Sequence, residues 1–184
     1  MTYAGGSIKK FVEDLSSKTP APGGGSVAAL ALACGAGLLA MACRYTLGKK
    51  TYREFSVRCR LILKRSLEIR RQALGLMDAD IKAYLSKDAE QSIAVPAKVC
   101  RLSVEVLRGA DEVVGKGSVY LKSDARLAAS LACAALAASF SYVRINLLCL
   151  KREGKNEKLI HELKTRARSV KKLMKAYGEN SWPF

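Results

Sequence analysis

The stretch that decides the fold is residues 19–50, TPAPGGGSVAALALACGAGLLAMACRYTLGKK. Two prolines and three glycines lead into Ser26, a residue type that often caps a helix N-terminus, and no charge follows before Arg44. This run predicts a helix from Ser26 to about Tyr45 that is buried on every side. The glycines either let main-chain N–H groups approach an anion or a flat ring, or only let an apolar helix enter a crowded core. The stretch alone leaves both interpretations open.

A second helix of the same character is predicted further along the chain. Ser123 is in position to cap it, and the run 127–143 contains no charge. Ala and Leu outnumber Val, Ile and Thr, which favours helix over strand. A chain of 184 residues suits one domain with a real core. We therefore predict a single all-α domain over residues 1–184, a bundle of about six helices with the two apolar helices at its centre.

Hydrophobic spacing predicts four further helices. The first is capped by Ser7 and buries one face, formed by Ile8, Phe11, Val12 and Leu15. The other three cover Thr51 to about Leu85, Pro96 to about Val114 and Asn156 to about Tyr177. A break in the helical pattern is expected near Pro96, and a loose tail is expected over residues 178–184.

The net charge of +16 needs an explanation. Between Lys151 and Lys175 the chain has ten Lys or Arg and three Glu, an excess of seven positive charges. Three explanations are a solvated helix face, a nucleic-acid surface, and the steering of a small polyanionic substrate. No zinc finger, RNP-type aromatic motif or Gly-x-x-Gly clamp accompanies the charge, so nucleic-acid binding is disfavoured.

The six cysteines form no C-x-x-C pair, and His161 is the one histidine. This pattern predicts reduced thiols that pack as small hydrophobes, and no metal site. The opening residues, 1–6, are short and uncharged and do not resemble a secretion signal. The many Ala and Gly of the first apolar helix contribute little hydrophobicity, which disfavours a membrane span. We expect a cytoplasmic protein.

Two acids of the long third helix differ in their neighbours. Asp78 shares its helix face with Lys82, whereas Asp80 follows Leu76 and Met77 at i+4 and i+3. Apolar surroundings raise the pKa of a carboxyl group unless cations or hydrogen bonds offset them, and a raised pKa suits proton transfer. The alternative is a single buried Asp that caps a neighbouring helix.

Other catalytic motifs are absent from the sequence. The G-x-G-x-x-A pattern at residues 23–28 has no strand before it, as a dinucleotide-binding fold requires. Residues 48–51, GKKT, do not form a P-loop, and no G-x-S-x-G elbow occurs. With one histidine in a basic segment, acid–base catalysis would use Asp, Glu, Lys or Tyr.

Several motifs follow one another along the chain. The longest is P-x-P-G-G-G-S followed by a small-residue helix and L-G-K-K, within residues 20–50. Further motifs, in chain order, are LMDADIKAY at 76–84, the helix start at Pro96, SDA at 123–125 and VRINL at 143–147. Together these motifs resemble the cyclodeaminase/cyclohydrolase family, which includes the C-terminal half of formiminotransferase-cyclodeaminase and stand-alone methenyltetrahydrofolate cyclohydrolases.

The resemblance implies an all-helical homodimer with its apolar helices at the centre, acting on one-carbon derivatives of tetrahydrofolate. The folate, with or without a polyglutamate tail, is the substrate, and no further cofactor is implied. The essential aspartate of the family corresponds to Asp80. Substrate-binding positions implied by the resemblance are Gly24, Gly25, Ser26, Lys49, Lys50, Ser123, Asp124 and Asn146.

Three functions stay open at this point. A methenyltetrahydrofolate cyclohydrolase is favoured because no formiminotransferase domain is present in the sequence, and a formiminotetrahydrofolate cyclodeaminase is the first alternative. A non-catalytic helical module that binds folate or nucleic acid is the second. The chain departs from the family pattern at Arg126, where a glycine commonly follows S-D-A, and at residues 115–122, GKGSVYLK. If that loop touches the pterin ring, these changes alter substrate fit.

Overall fold

The computed structural model describes residues 2–150 and 156–179, and over these residues it is built from helices alone. The α-helices are α1 (Ile8–Leu15), α2 (Gly24–Thr46), α3 (Ser56–Leu85), α4 (Ala89–Lys116), α5 (Lys122–Cys149), α6 (Glu157–Ser169) and α7 (Lys171–Met174). Short 3₁₀ turns at Lys50–Phe55 and Val119–Leu121 precede α3 and α5, and a π-helical turn at Lys175–Glu179 follows α7. The predicted all-α class is confirmed.

Helices α2 and α5 lie antiparallel against each other. Near the middle of α2, a Cβ atom added at Gly35 would lie 3.0 Å from the carbonyl oxygen of Ala128. At the C-terminal end of α2, the Thr46 hydroxyl accepts a hydrogen bond of 2.9 Å from the N–H of Ser118, just before α5. Small side chains allow this close approach, so the two predicted small-residue helices pack directly against each other.

The long helices α3 and α4 pack against α2 and α5 and complete the core. The largest fully buried side chains come from all four helices and include Leu32, Leu39, Ile69, Leu107 and Leu136. On the outer surface, α3 and α4 are joined by two bidentate ion pairs, Arg58 with Glu112 and Arg65 with Glu105.

Several predicted helix ends are wrong. Ser26 does not cap α2, because the helix begins two residues earlier and the N-cap is Gly23. Ser123 does not cap α5 but lies in its first turn, after Leu121. The last predicted helix is interrupted at Val170, between α6 and α7. The tail over residues 180–184 and the segment 151–155 lie outside the described residues.

The predicted buried face of α1 is also wrong in large part. Ser7 does cap the helix, and Phe11 is buried against Tyr3, with the ring centroids 5.4 Å apart. Ile8 and Val12, however, are 78% and 52% exposed. The N-terminal segment is instead held by Asp78, whose carboxylate accepts a 2.7 Å hydrogen bond from the N–H of Tyr3. The predicted solvated role of Asp78 is therefore replaced by an anchoring role.

Pro96 does not break the helical pattern as predicted but lies within α4. Proline lacks an N–H, so the carbonyl oxygen of residue 92, four positions earlier, loses its usual partner. The side-chain amide of Asn146 on α5 donates to this Ser92 oxygen at 2.6 Å. A side chain from a neighbouring helix thus completes the hydrogen bonding that the proline removes.

Helices α2 and α5 are both long and apolar enough to cross a membrane by length and composition alone. In the most apolar stretch of α2, 61% of the residues are buried inside the protein. In the corresponding stretch that includes α5, 39% are buried. Core helices pass the same test. The predicted burial of α2 on every side is wrong, because Val27, Cys34 and Tyr45 are exposed along one side of the helix. Part of α5 presents apolar side chains outward.

The link between Asn146 and Pro96 can be tested by a double-mutant cycle. Asn146→Ala should cost about 1 kcal/mol of unfolding free energy, because the Ser92 carbonyl oxygen loses its donor. In a Pro96→Ala background the new N–H can bond that oxygen, so the same substitution should cost clearly less. Urea unfolding of the four proteins measures both costs. Equal costs in the two backgrounds would contradict the pairing.

Candidate active site

Asp80 of α3 holds the N-terminus of α2. The hydroxyl of Ser26, which is fully buried, donates a 2.7 Å hydrogen bond to Oδ2 of Asp80. The main chain of Ser26 also hydrogen-bonds this carboxylate. A Cβ atom added at Gly25 would overlap the carboxylate, at 2.7 Å from its Cγ. Glycine at position 25 therefore makes room for a protein carboxylate directly against the first turn of the helix.

Burial raises the pKa of Asp80 above its ordinary value, and the side-chain and main-chain hydrogen bonds from Ser26 lower it only in part. The apolar sequence neighbours correctly indicated this environment. The carboxylate also caps the N-terminus of α2, which is the alternative role that the sequence left open for Asp80. Capping and proton transfer are compatible, because a half-buried carboxylate keeps acceptor capacity beyond the bonds from Ser26.

A tyrosine from α5 completes this end of the bundle. A Cβ atom added at Gly24 would overlap the hydroxyl of Tyr142 and lie 2.8 Å from its Cζ. Consecutive glycines thus face two functional groups, the phenol of Tyr142 and the carboxylate of Asp80. Tyr142 was not among the predicted site residues, and its only sequence signal is its place directly before the VRINL motif.

The predicted site residues fall at two ends of the molecule. Gly24, Gly25, Ser26 and Asp80 are together at the N-terminal end of α2. Lys49, Lys50, Ser123 and Asp124 lie beyond its C-terminal end, where α5 begins. The 23 residues of α2 span about 33 Å, so one chain does not bring the two groups together.

The second group forms an exposed, basic and partly aromatic surface. The ammonium of Lys49 lies 5.3 Å from the ring centroid of Tyr120, which is 80% exposed. Ser123 and Asp124 contact each other at 3.4 Å. Asn146 lies at the Asp80 end, but its amide nitrogen is used in the bond to Ser92, so a substrate contact there stays a prediction.

Asp80 lines none of the three main clefts in the described part of the chain. The largest, about 840 Å³, is between the end of α5 and α6, and the others measure about 610 Å³ and 320 Å³. No group of three or more His, Cys, Asp or Glu that could hold a metal ion occurs among the described residues.

Comparisons with known proteins agree on one family. The model of the family described as Formiminotransferase-cyclodeaminase matches residues 7–87 and 85–165. A methenyltetrahydrofolate cyclohydrolase from Methylorubrum extorquens is 31% identical over 180 residues, which covers 85% of this chain and 86% of that protein. The formimidoyltransferase-cyclodeaminase of Rattus norvegicus is 24% identical over 188 residues. The chain spans only 35% of the length of that relative.

The same architecture occurs in a crystal structure. The formiminotetrahydrofolate cyclodeaminase from Thermotoga maritima superposes with a TM-score of 0.82 and 22% sequence identity. The match covers 96% of this chain and 98% of that one. At this level of identity the likeness establishes the fold.

Proposed function

The chain belongs to the formiminotransferase-cyclodeaminase family, and we propose that it is an enzyme of one-carbon tetrahydrofolate chemistry. Its activity is that of a methenyltetrahydrofolate cyclohydrolase, which converts 5,10-methenyltetrahydrofolate and water into 10-formyltetrahydrofolate. The observation that carries this choice is the 31% identity to the Methylorubrum extorquens cyclohydrolase over most of both chains. The cyclodeaminase relatives share a smaller identity over about a third of their own length.

Asp80 is the proton acceptor in this proposal. Water adds to the cationic carbon that bridges N5 and N10, and Asp80 takes the proton that the water loses. The carbon–N5 bond then breaks, the formyl group stays on N10, and one proton is released overall. A raised pKa makes the Asp80 carboxylate a stronger base than an ordinary aspartate, which suits a group that takes a proton from the attacking water.

We further propose that the protein is a homodimer formed through α2 and α5. On α2, side chains that are not fully buried recur in steps of three and four: Val27, Ala31, Cys34, Leu38, Met41 and Tyr45. A matching row on α5 consists of Leu127, Leu131, Ala134, Ala138, Ser141, Ile145 and Leu148. We call these two rows the apolar face. Adjacent rows of this spacing are typical of helix–helix interfaces, and a patch this long is seldom left in water.

Charge favours an antiparallel arrangement of the two copies. One end of the apolar face is basic and exposed, with Arg44, Lys49, Lys50, Lys122 and Arg126. A parallel dimer would place two such ends side by side, whereas a two-fold axis across the helices separates them. The antiparallel dimer places the basic end of one chain near Asp80 of the partner subunit. Each site then combines the two groups of predicted residues.

The high positive charge fits a substrate with several carboxylates. Lysines at the rim of each site attract the glutamate tail of the folate, including a polyglutamate tail, and raise the rate of encounter. All six cysteines are free thiols, as a reducing compartment maintains, and we place the protein in the cytoplasm.

The second candidate activity is the cyclodeaminase reaction, in which N10 attacks a 5-formimino carbon and ammonia leaves. It is supported by the family model and by the fold shared with the Thermotoga maritima protein. The same acid and the same folate site would serve this reaction. The two activities therefore differ in whether the site takes 5,10-methenyltetrahydrofolate or 5-formiminotetrahydrofolate as its substrate.

The cyclohydrolase proposal predicts catalysed loss of the methenyl absorbance when the protein is added to 5,10-methenyltetrahydrofolate. Asp80→Asn should lower kcat by about 100-fold or more, because the proton acceptor is removed. The matched control is Asp78→Asn, two residues earlier, which only weakens the anchor of the N-terminal segment, because the amide oxygen still accepts from the Tyr3 N–H.

The controls separate the possible outcomes. A buffer blank corrects for spontaneous hydrolysis. Activity only with 5-formiminotetrahydrofolate would replace the cyclohydrolase by the cyclodeaminase. No turnover of either folate would contradict both and leave a non-catalytic binding module.

The shared site predicts complementation between two inactive chains. Asp80→Asn and the double variant Lys49→Ala/Lys50→Ala should each lose most activity alone. When the two are co-expressed, mixed dimers contain one intact site, and up to about one quarter of the wild-type activity should return. The double variant Lys171→Ala/Lys172→Ala removes two consecutive exposed lysines elsewhere and should stay active. A monomer in solution, or no recovery in mixed dimers, would contradict the proposal.

A further inference from the structure

The tyrosines of this chain differ in what their hydroxyl groups bind. Tyr3 and Tyr177 donate to Asp14 and Asp111, and Tyr52 accepts from the N–H of Val119. Three others, Tyr45, Tyr84 and Tyr120, are between 56% and 80% exposed, so water can bind their hydroxyls. Tyr142 is half-buried, and its hydroxyl has no hydrogen-bond partner in the described part of the chain.

The position of this unpaired hydroxyl is specific. Its tip lies against Gly24, where any larger residue would overlap it, and Gly25 beside it faces Asp80. The two groups come from different helices and lie against consecutive residues of the first turn of α2. A half-buried hydroxyl without a protein partner normally finds one in water or a ligand. A ligand bound there would lie one residue along α2 from the glycine that faces the carboxylate.

We propose that Tyr142 is a second catalytic residue that contacts the folate substrate and relays a proton. This inference rests on the proposed function. After Asp80 has taken a proton from the attacking water, the intermediate carries a hydroxyl group on the bridging carbon. Tyr142 gives its phenolic proton to N5 as the carbon–N5 bond breaks, and it receives the hydroxyl proton as the formyl C=O bond forms. The phenol is unchanged overall, and Asp80 releases the net proton to solvent.

Two roles of Tyr142 must be distinguished. A purely structural tyrosine fills the space beside Gly24 with its ring, and its hydroxyl contributes nothing to turnover. A catalytic tyrosine needs the hydroxyl, while its ring alone preserves the fold. Tyr142→Phe separates them, because it removes one oxygen and keeps the ring.

The matched control is Tyr177→Phe. The Tyr177 hydroxyl donates to Asp111 at 2.8 Å, and the residue is 8% exposed. Its loss should lower the unfolding midpoint and leave kcat unchanged. Tyr142→Phe should show the opposite pattern, with an unchanged midpoint, a KM within about twofold of the wild type and a kcat lower by about 100-fold.

The experiment measures kcat and KM on 5,10-methenyltetrahydrofolate, together with thermal unfolding, for the wild type and both variants. An unchanged kcat in Tyr142→Phe beside an active wild type would overturn the role of Tyr142 alone. A higher KM at constant kcat would overturn the proton relay and make Tyr142 a binding residue. A wild type inactive on both folates would overturn the proposed function and this inference with it.

Discussion

The contact between Asp80 and the first turn of α2 is the constraint on which the candidate site depends. It joins two helices that are far apart in sequence, through a hydroxyl that is fully buried and a carboxylate that is not. Glycine at position 25 allows this contact, because a Cβ atom there would overlap the carboxylate as it is placed. The result is an acid whose pKa is raised by burial while its orientation is fixed by Ser26. A proton acceptor for neutral pH needs both properties.

The packing of α2 and α5 sets where everything else lies. Because small residues let these helices run close and antiparallel, the glycine-rich turn meets the end of α5, and the lysines after α2 meet its start. The helices also keep an apolar face that no other described residue covers. The proposed dimer through that face would account for both the exposed apolar rows and the separation of the two groups of predicted residues.

The sequence allowed the helical class and the two small-residue helices to be predicted, because both follow from composition and local spacing. Periodicity predicted different surroundings for Asp80 and Asp78, because it indicates which side chains lie beside each acid on the same helix. The wrong predictions concern positions where a residue distant in sequence changes the structure expected from the neighbouring sequence alone. Ser26 uses its hydroxyl on Asp80 instead of capping its helix, and Pro96 is tolerated within α4 because Asn146 supplies the missing donor. Tyr142 was missed for the same reason, since its unpaired hydroxyl is visible only after the fold brings it to Gly24.

The most direct measurement is the pKa of Asp80, from the ¹³C shift of its carboxyl carbon during a pH titration. It should lie above the ordinary aspartate value, so that ionised Asp80 costs folding free energy above that pKa and the cost disappears as the pH falls through it. Ser26→Ala should raise the pKa further, because the hydroxyl donates to the charged form. A pKa at or below the ordinary value, or one that falls in Ser26→Ala, would contradict the assignment of Asp80 as a buried acid held by the N-terminus of α2.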